Sequence, residues 1–141
     1  MFEMSEAQMT SRILEVAREL GFNATRERAF SYERGLKHRL LGRRSRPTTM
    51  RPDLLLEHEK RLVVIEVKRG QVLPGAVEQV LDYVDALGAK GVICVPDSVI
   101  ENTAISVTRY ANNADIRICS LSEIQDVLRR LLVGPDVDHR T

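Results

Sequence analysis

The sequence predicts an α/β protein in which one sheet contains both antiparallel and parallel strands. Two apolar runs separated by the polar residues 57–60 are typical of a hairpin, whose strands are antiparallel. An amphipathic helix follows the hairpin and precedes another apolar strand, and a strand–helix–strand unit of this kind places its two strands in parallel. Two later segments begin with capping-box patterns, which predict further helices.

The length of 141 residues is enough for one domain with a substantial core, which we expect over residues 1–133. Residues 31–51 form its basic connection, and the polar residues 134–141 are expected to be a disordered tail. Hydrophobic residues make up 43% of the chain and charged residues 29%, which is typical of a water-soluble protein. No apolar run is long enough for a membrane span and no signal-peptide pattern is present, so we expect a cytoplasmic protein with no membrane partner.

The elements follow from hydrophobic periodicity and from start and stop signals. Ser5 can cap the first helix, whose apolar face recurs at helical spacing, and Gly88 closes the helix that begins at Pro74. Helices are expected over residues 5–20, 74–87, 98–111 and 120–132, strands over 23–30, 53–56, 62–67, 91–95 and 116–119, and a long connection over 31–50.

Cys94 and Cys119 each lie in an apolar, strand-like run. They are interpreted as buried free thiols of a reducing compartment, because neither they nor the three histidines show the spacing of metal ligands.

Three functional side chains converge at one end of the predicted hairpin. A symmetric loop centred between Glu59 and Lys60 pairs Leu56 with Val63 and places Asp53 opposite Glu66. Side chains alternate along a strand, so Lys68 shares the face of Glu66.

Two ionised carboxylates at that distance repel each other unless a cation lies between them. Magnesium prefers one or two protein carboxylates together with water and phosphate oxygens, and a bound ion promotes phosphodiester hydrolysis. Lys68 could hold or deprotonate the attacking water, or bind the scissile phosphate. The alternative is an ordinary hairpin whose acids and amine have no chemical role.

The net charge of +1 hides an uneven distribution. Seven of the 21 basic residues lie between Arg34 and Arg51, a segment without Asp or Glu, which leaves 14 basic against 20 acidic residues elsewhere. A basic segment that leads into the three-residue patch is what binding to a phosphate backbone requires, and Arg43, Arg44, Arg46 and Arg51 are the candidate DNA contacts. The alternative is a mobile loop whose charge only aids solubility.

Pro52-Asp53, followed by Glu66-Val67-Lys68 at the end of an apolar strand, resembles the signature of the PD-(D/E)xK nucleases. The resemblance covers roughly residues 5–132 and implies a restriction-endonuclease-like core, an α/β fold with a mixed central sheet flanked by helices. It implies that Asp53 and Glu66 bind Mg²⁺ or Mn²⁺, that Lys68 is the catalytic lysine, and that the protein is a homodimer. The size is similar to that of Holliday-junction-resolving enzymes.

Further residues join the site through this resemblance. In such nucleases a first-helix acid often binds the metal, and Glu6 is the best match, although an acid in a first turn also simply favours the helix dipole. Gln79 and Tyr83 lie four residues apart in the helix after the Glu-Val-Lys strand, which is similar to an auxiliary motif of the RecB-like branch.

The expected function is therefore that of a metal-dependent DNA endonuclease, with a preference for structured DNA as one option. The alternatives are a nuclease fold that binds DNA or assembles with partners without catalysis, and a small structural partner of a larger complex.

Overall fold

The computed structural model describes residues 4–27, 30–33, 47–70, 72, 74–100 and 115–133. In chain order the elements are α1 (Glu6–Glu19), β1 (Asn23–Arg26), β2 (Phe30–Glu33), β3 (Pro47–Met50), β4 (Leu54–His58), β5 (Arg61–Val67), α2 (Pro74–Leu87), β6 (Lys90–Val95), β7 (Ile116–Ser120), a 3₁₀ turn (Leu121–Glu123) and α3 (Ile124–Val133).

A mixed five-stranded sheet with the order β1-β4-β5-β6-β7 forms the centre of the protein. β1, β4 and β5 pair antiparallel, whereas β5, β6 and β7 pair parallel. The expected combination of a hairpin with a parallel crossover is thus confirmed. The hairpin register is also confirmed, since Leu56 pairs with Val63 and the turn consists of Glu59 and Lys60 between the paired His58 and Arg61.

Helices cover both faces of this sheet. Val63, Ile65 and Val67 of β5 pack in one buried cluster with α1 and α3. Val64 packs on the opposite face with Leu55 and with Tyr83 of α2. The alternation that the strand predicts is therefore realised, with both faces of β5 buried.

Local signals explain where the helices begin and end. Ser5 and Gln8 form a reciprocal capping box at α1, with N–H to side-chain oxygen distances of 2.8 and 3.1 Å. Gly88 follows α2 with a φ of 63°, a conformation that favours glycine. Ser120 and Glu123 form the second predicted capping box.

The prediction for the segment after β1 was wrong in two respects. The strand expected over residues 23–30 ends at Arg26, because Glu27 adopts a φ of 46° and breaks the extended conformation. Phe30 instead begins β2, which pairs antiparallel with β3, so the expected connection over 31–50 has a strand at each end. Local polarity concealed these strands, since their pairing joins residues far apart in sequence.

Several predictions fall outside the described residues. They concern the middle of the basic connection at 34–46, the helix beyond Ile100 and the tail at 134–141. The assignment of one domain over residues 1–133 stays a prediction. Cys94 and Cys119 are free and buried, as expected. Within the part of the chain that the structure describes, no helix is long and apolar enough to cross a membrane.

Candidate active site

The β4–β5 hairpin brings Asp53 and Glu66 face to face. β4 pairs with β5 as far as Leu54 and Ile65, and the next step of this register sets Asp53 opposite Glu66. The Asp53 N–H donates to Glu66 Oε1 at 3.2 Å, and the Val67 N–H donates to Asp53 Oδ2 at 2.7 Å. Each carboxylate is thus held by a backbone N–H of the opposite strand.

Glu66 is a buried acid, with only 5% of its surface exposed. Burial, then the charge of Asp53 and a hydrogen bond between the two carboxyls, raise the pKa of Glu66 from 4.5 to about 7. The bond from the Asp53 backbone and the charge of Lys68 oppose this rise. Glu66 therefore binds a proton near neutral pH much more readily than an exposed glutamate does.

Asp53 is half-buried and surrounded by charges of both signs. Burial raises its pKa above the ordinary value, while the hydrogen bond from Val67 and the charge of Lys68 lower it. The carboxylates of Glu6 and Glu27 raise it as well, so both act electrostatically on Asp53. Together with Glu6 and Glu27, the region contains four acidic side chains and one lysine, Lys68.

Lys68 comes directly after β5, where its backbone N–H donates to the carbonyl of Cys94 on β6 at 2.9 Å. This bond continues the parallel pairing past the end of β5. The half-buried Lys68 side chain lies close enough to Asp53 and Glu66 for its charge to lower the pKa of both. The structure therefore brings the three residues of the predicted patch together.

Gln79 and Tyr83 of α2 support the same patch from the side. Gln79 Nε2 donates to the Tyr83 hydroxyl at 2.9 Å, and the Arg51 backbone also hydrogen-bonds that hydroxyl. Tyr83 is buried, and its pKa is raised first by burial and then by the charge of Glu66. Tyr83 thus links α2 to the chain just before Asp53.

Gly91 makes this approach of α2 possible. A Cβ atom at Gly91 would lie 2.5 Å from Val80 Cγ1 and 3.0 Å from Val84 Cγ2, closer than carbon atoms tolerate. Glycine on β6 therefore lets α2 pack against the sheet at the height of Tyr83.

Glu6 lies exposed in the first turn of α1, near enough to influence Asp53. Glu27 was missed by the sequence interpretation, which placed it inside a longer strand. Its N–H donates to the Asp53 carbonyl at 3.2 Å. The available signal was weak: one acid in a polar segment, whose neighbour in space is decided by the pairing of β1 with β4.

Of the four arginines expected to contact DNA, Arg51 is exposed and lies two residues before Asp53. Arg43, Arg44 and Arg46 lie outside the described residues. The electrostatic contribution of this segment stays a prediction.

Two carboxylates fit a magnesium site of the open kind, in which water and phosphate supply the other ligands. Among the described residues, no three acidic, histidine or cysteine side chains are grouped closely enough to hold a metal ion. Asp53 and Glu66 are therefore the pair that would hold the ion, and the role of Glu6 as a ligand stays a prediction.

The fold is similar to that of solved structures, although the sequence matches no known family. No protein-family model matches the sequence, and no curated protein is similar enough to count as a match. The crystal structure of protein VC1899 from Vibrio cholerae is similar over 90% of this chain, with a TM-score of 0.55 and 13% identity. This chain covers 32% of VC1899, about a third of its length.

A second solved structure, a protein of unknown function called AF1548, has a TM-score of 0.48 and 11% identity over 81% of this chain and 58% of its own. The likeness to VC1899 supports an α/β fold with a mixed sheet.

Proposed function

We propose that this protein is a Mg²⁺- or Mn²⁺-dependent enzyme that hydrolyses phosphodiester bonds of DNA on a restriction-endonuclease-like core. The observation that carries the proposal is the opposed pair Asp53 and Glu66 with Lys68 beside it, at the end of a parallel-paired strand. A plain surface hairpin does not require a carboxylate that is 95% buried, because burying an acid costs free energy.

Asp53 and Glu66 would hold the ion, and a proton bound to Glu66 would be released to solvent as its carboxylate became a ligand. A bound divalent ion supplies charge stabilisation for the phosphodiester and lowers the pKa of a coordinated water. The backbone N–H groups of Asp53 and Val67 keep the carboxylates in place for this role.

Lys68 positions or deprotonates the attacking water, or contacts the scissile phosphate. Lys68 is half-buried beside a buried acid, and its charge acts on both carboxyls. Tyr83 and Gln79 steady the backbone at Arg51. The exposed side chain of Arg51 would contact a phosphate of the DNA. Neutralising several phosphates makes DNA binding steeply salt-dependent.

Plasmid and branched DNA incubated with Mg²⁺ or Mn²⁺ test the proposal directly. We expect Lys68→Ala, Asp53→Asn and Glu66→Gln each to reduce cleavage by at least about 100-fold, since each removes a group that acts on the transition state. Lys60→Ala is the matched control, because Lys60 is an exposed lysine in the turn at the opposite end of the same hairpin.

Equal cleavage by the wild-type protein and Lys68→Ala would refute the enzymatic proposal. DNA binding that persists in EDTA, with no metal-dependent cleavage, would favour a noncatalytic DNA-binding module instead. Sedimentation analysis checks the homodimer that the resemblance implies, which stays a prediction.

A further inference from the structure

A cavity of about 350 Å³ opens on the other face of the sheet from the acid pair. α1 and α3 form its walls, and the chain segments that follow β6 and β7 close one end. Its volume lies within the range of pockets that bind small molecules or parts of larger ligands.

The cavity and the acid pair share one edge of the sheet. Pro96 follows β6 and Leu121 follows β7, and both line the cavity at the carboxyl ends of parallel strands. Glu66 and Lys68 lie at the carboxyl end of β5, which is parallel to both. Ligands of open α/β sheets bind at this edge.

Helix α1 extends from the acid pair to the cavity. Glu6 in its first turn acts on Asp53, while Met9 and Arg12 of the same helix line the cavity. At 1.5 Å per residue, the rise from Glu6 to Arg12 is about 9 Å. The first two turns of α1 thus run from the neighbourhood of Asp53 to the cavity.

The lining combines an apolar floor with a polar rim. Met9 and Ile124 are buried, while Met4 remains 43% exposed and is the exposed large hydrophobic residue of the described chain. Arg12 and Gln125 are exposed at the rim and offer donors and acceptors. An apolar floor with a few polar groups at its rim is the usual composition of a ligand pocket.

Asp97 completes the polar part of the lining. Its Oδ1 accepts a hydrogen bond from the Ser122 N–H at 3.0 Å, which ties the segment after β6 to the segment after β7. The bond fixes one end of the cavity and leaves the second carboxylate oxygen as a further acceptor.

We propose that this cavity binds an unpaired nucleobase of the DNA strand whose phosphodiester lies at Asp53, Glu66 and Lys68. The inference rests on the proposed function and extends it to substrate class, since only an unpaired or extruded base can enter. Flat bases pack between apolar side chains and present donors and acceptors along their edge, which matches the floor and the rim. The polarizable thioethers of Met4 and Met9 suit contact with an aromatic ring.

Binding in EDTA, where no cleavage occurs, tests the pocket separately from the chemistry. The probes are a single-stranded oligodeoxyadenylate and an oligomer of the same length whose sugar–phosphate backbone carries no bases. With the Met methyl groups labelled with ¹³C, we expect the adenine oligomer to shift the Met4 and Met9 resonances and the abasic oligomer to leave them in place.

Gln125→Leu removes the hydrogen-bonding amide at an exposed position of α3 on the rim of the cavity. We expect it to weaken binding of the adenine oligomer by about fivefold, the effect of losing one hydrogen bond, and to leave binding of the abasic oligomer unchanged. Arg12→Ala gives an independent test, with Arg18→Ala as its control. We expect Arg12→Ala to weaken binding of the adenine oligomer more than Arg18→Ala does. Arg18 is an exposed arginine of the same helix outside this cavity, so both variants lose the same charge.

Equal affinity of the wild-type protein for the two oligomers would overturn the pocket, as would equal losses in Arg12→Ala and Arg18→Ala. Base-dependent binding together with no cleavage in Mn²⁺ would refute the proposed hydrolysis and leave the pocket standing. Cleavage without base-dependent binding would refute the pocket alone.

Discussion

Two glutamates at the same edge of the sheet accept hydrogen bonds from the backbone, with opposite consequences for their pKa. Glu66 accepts from the Asp53 N–H at 3.2 Å, yet its pKa is raised to about 7. Glu123 accepts from the Ser120 N–H at 3.0 Å and from the Ser120 hydroxyl at 2.8 Å, and its pKa is lowered.

The difference lies in what surrounds each carboxylate. Glu123 is exposed, so its hydrogen bonds decide the shift. Glu66 is buried against a second acid, so desolvation and repulsion outweigh the same kind of bond. Glu123 completes a helix cap, whereas ionised Glu66 is repelled by Asp53, and a bound cation would reduce that repulsion.

The largest expected effect comes from Glu66→Gln in the absence of divalent metal. The ordinary pKa of 4.5 rises to about 7 on folding, so the folded protein binds this proton more tightly than the unfolded chain. Wild-type stability is therefore greatest below about pH 4.5 as far as this group is concerned, and falls as the pH rises to about 7.

Glutamine keeps the shape and the hydrogen-bond donor of the protonated acid without the charge. We expect the variant to be more stable than the wild type by up to about 3 kcal/mol near pH 8, with the difference vanishing near pH 4.5. Urea unfolding in EDTA across this range measures it. A wild-type advantage at high pH would contradict the account of Glu66.

The next effect is stabilisation by metal. Ion binding to the ionised pair should raise the free energy of unfolding at about pH 8 by about 2.7 kcal/mol when free Mg²⁺ or Mn²⁺ is 100 times its Kd. Thermal melts with and without the ion measure this in the wild-type protein and in Glu66→Gln. We expect the gain to disappear in the variant, and an equal gain in both proteins would place the ion elsewhere.

Asp53→Asn separates the two causes that raise the pKa of Glu66, which are repulsion by Asp53 and burial. Removing the neighbouring charge should lower the pKa of Glu66 from about 7, but keep it above 4.5, because burial is the larger cause. Carboxyl ¹³C chemical shifts of Glu66 followed through a pH titration report the change. A return to 4.5 would show that repulsion dominates.

The smallest effect is expected at Glu123. Glu123→Ala removes half of the capping box of the 3₁₀ turn that leads into α3 and should cost about 0.5 kcal/mol at neutral pH. Since the pKa of Glu123 is lowered on folding, its contribution is present above the ordinary value of 4.5 and disappears as the pH falls. Urea unfolding measures the free energy of unfolding of each variant relative to the wild type. At neutral pH this difference should be negative for Glu123→Ala and positive for Glu66→Gln, and both differences should shrink as the pH falls.

The hairpin could be read from the sequence because its information is local. The polar residues 57–60 set the turn, the alternation of β5 sets the faces, and together they place Asp53, Glu66 and Lys68 on one patch. The capping signals at Ser5 and Ser120 likewise predicted the start of the helical segments that follow them.

The β2–β3 pairing and the position of Glu27 could not be predicted, because both depend on contacts between segments distant in the sequence. The pairing of Phe30 with Met50 joins residues on either side of a basic stretch, and the polarity of that stretch gave no sign of it. Glu27 meets Asp53 only because β1 pairs with β4.

By itself, then, the sequence determined which residues the hairpin gathers, because turn position and strand alternation depend on neighbours along the chain. Tertiary structure alone decided how deeply Glu66 is buried, which charges surround Asp53, and that a cavity opens on the reverse face of the same edge. Burial and cavity shape depend on how α1, α2 and α3 pack against the sheet, and no local pattern specifies that packing.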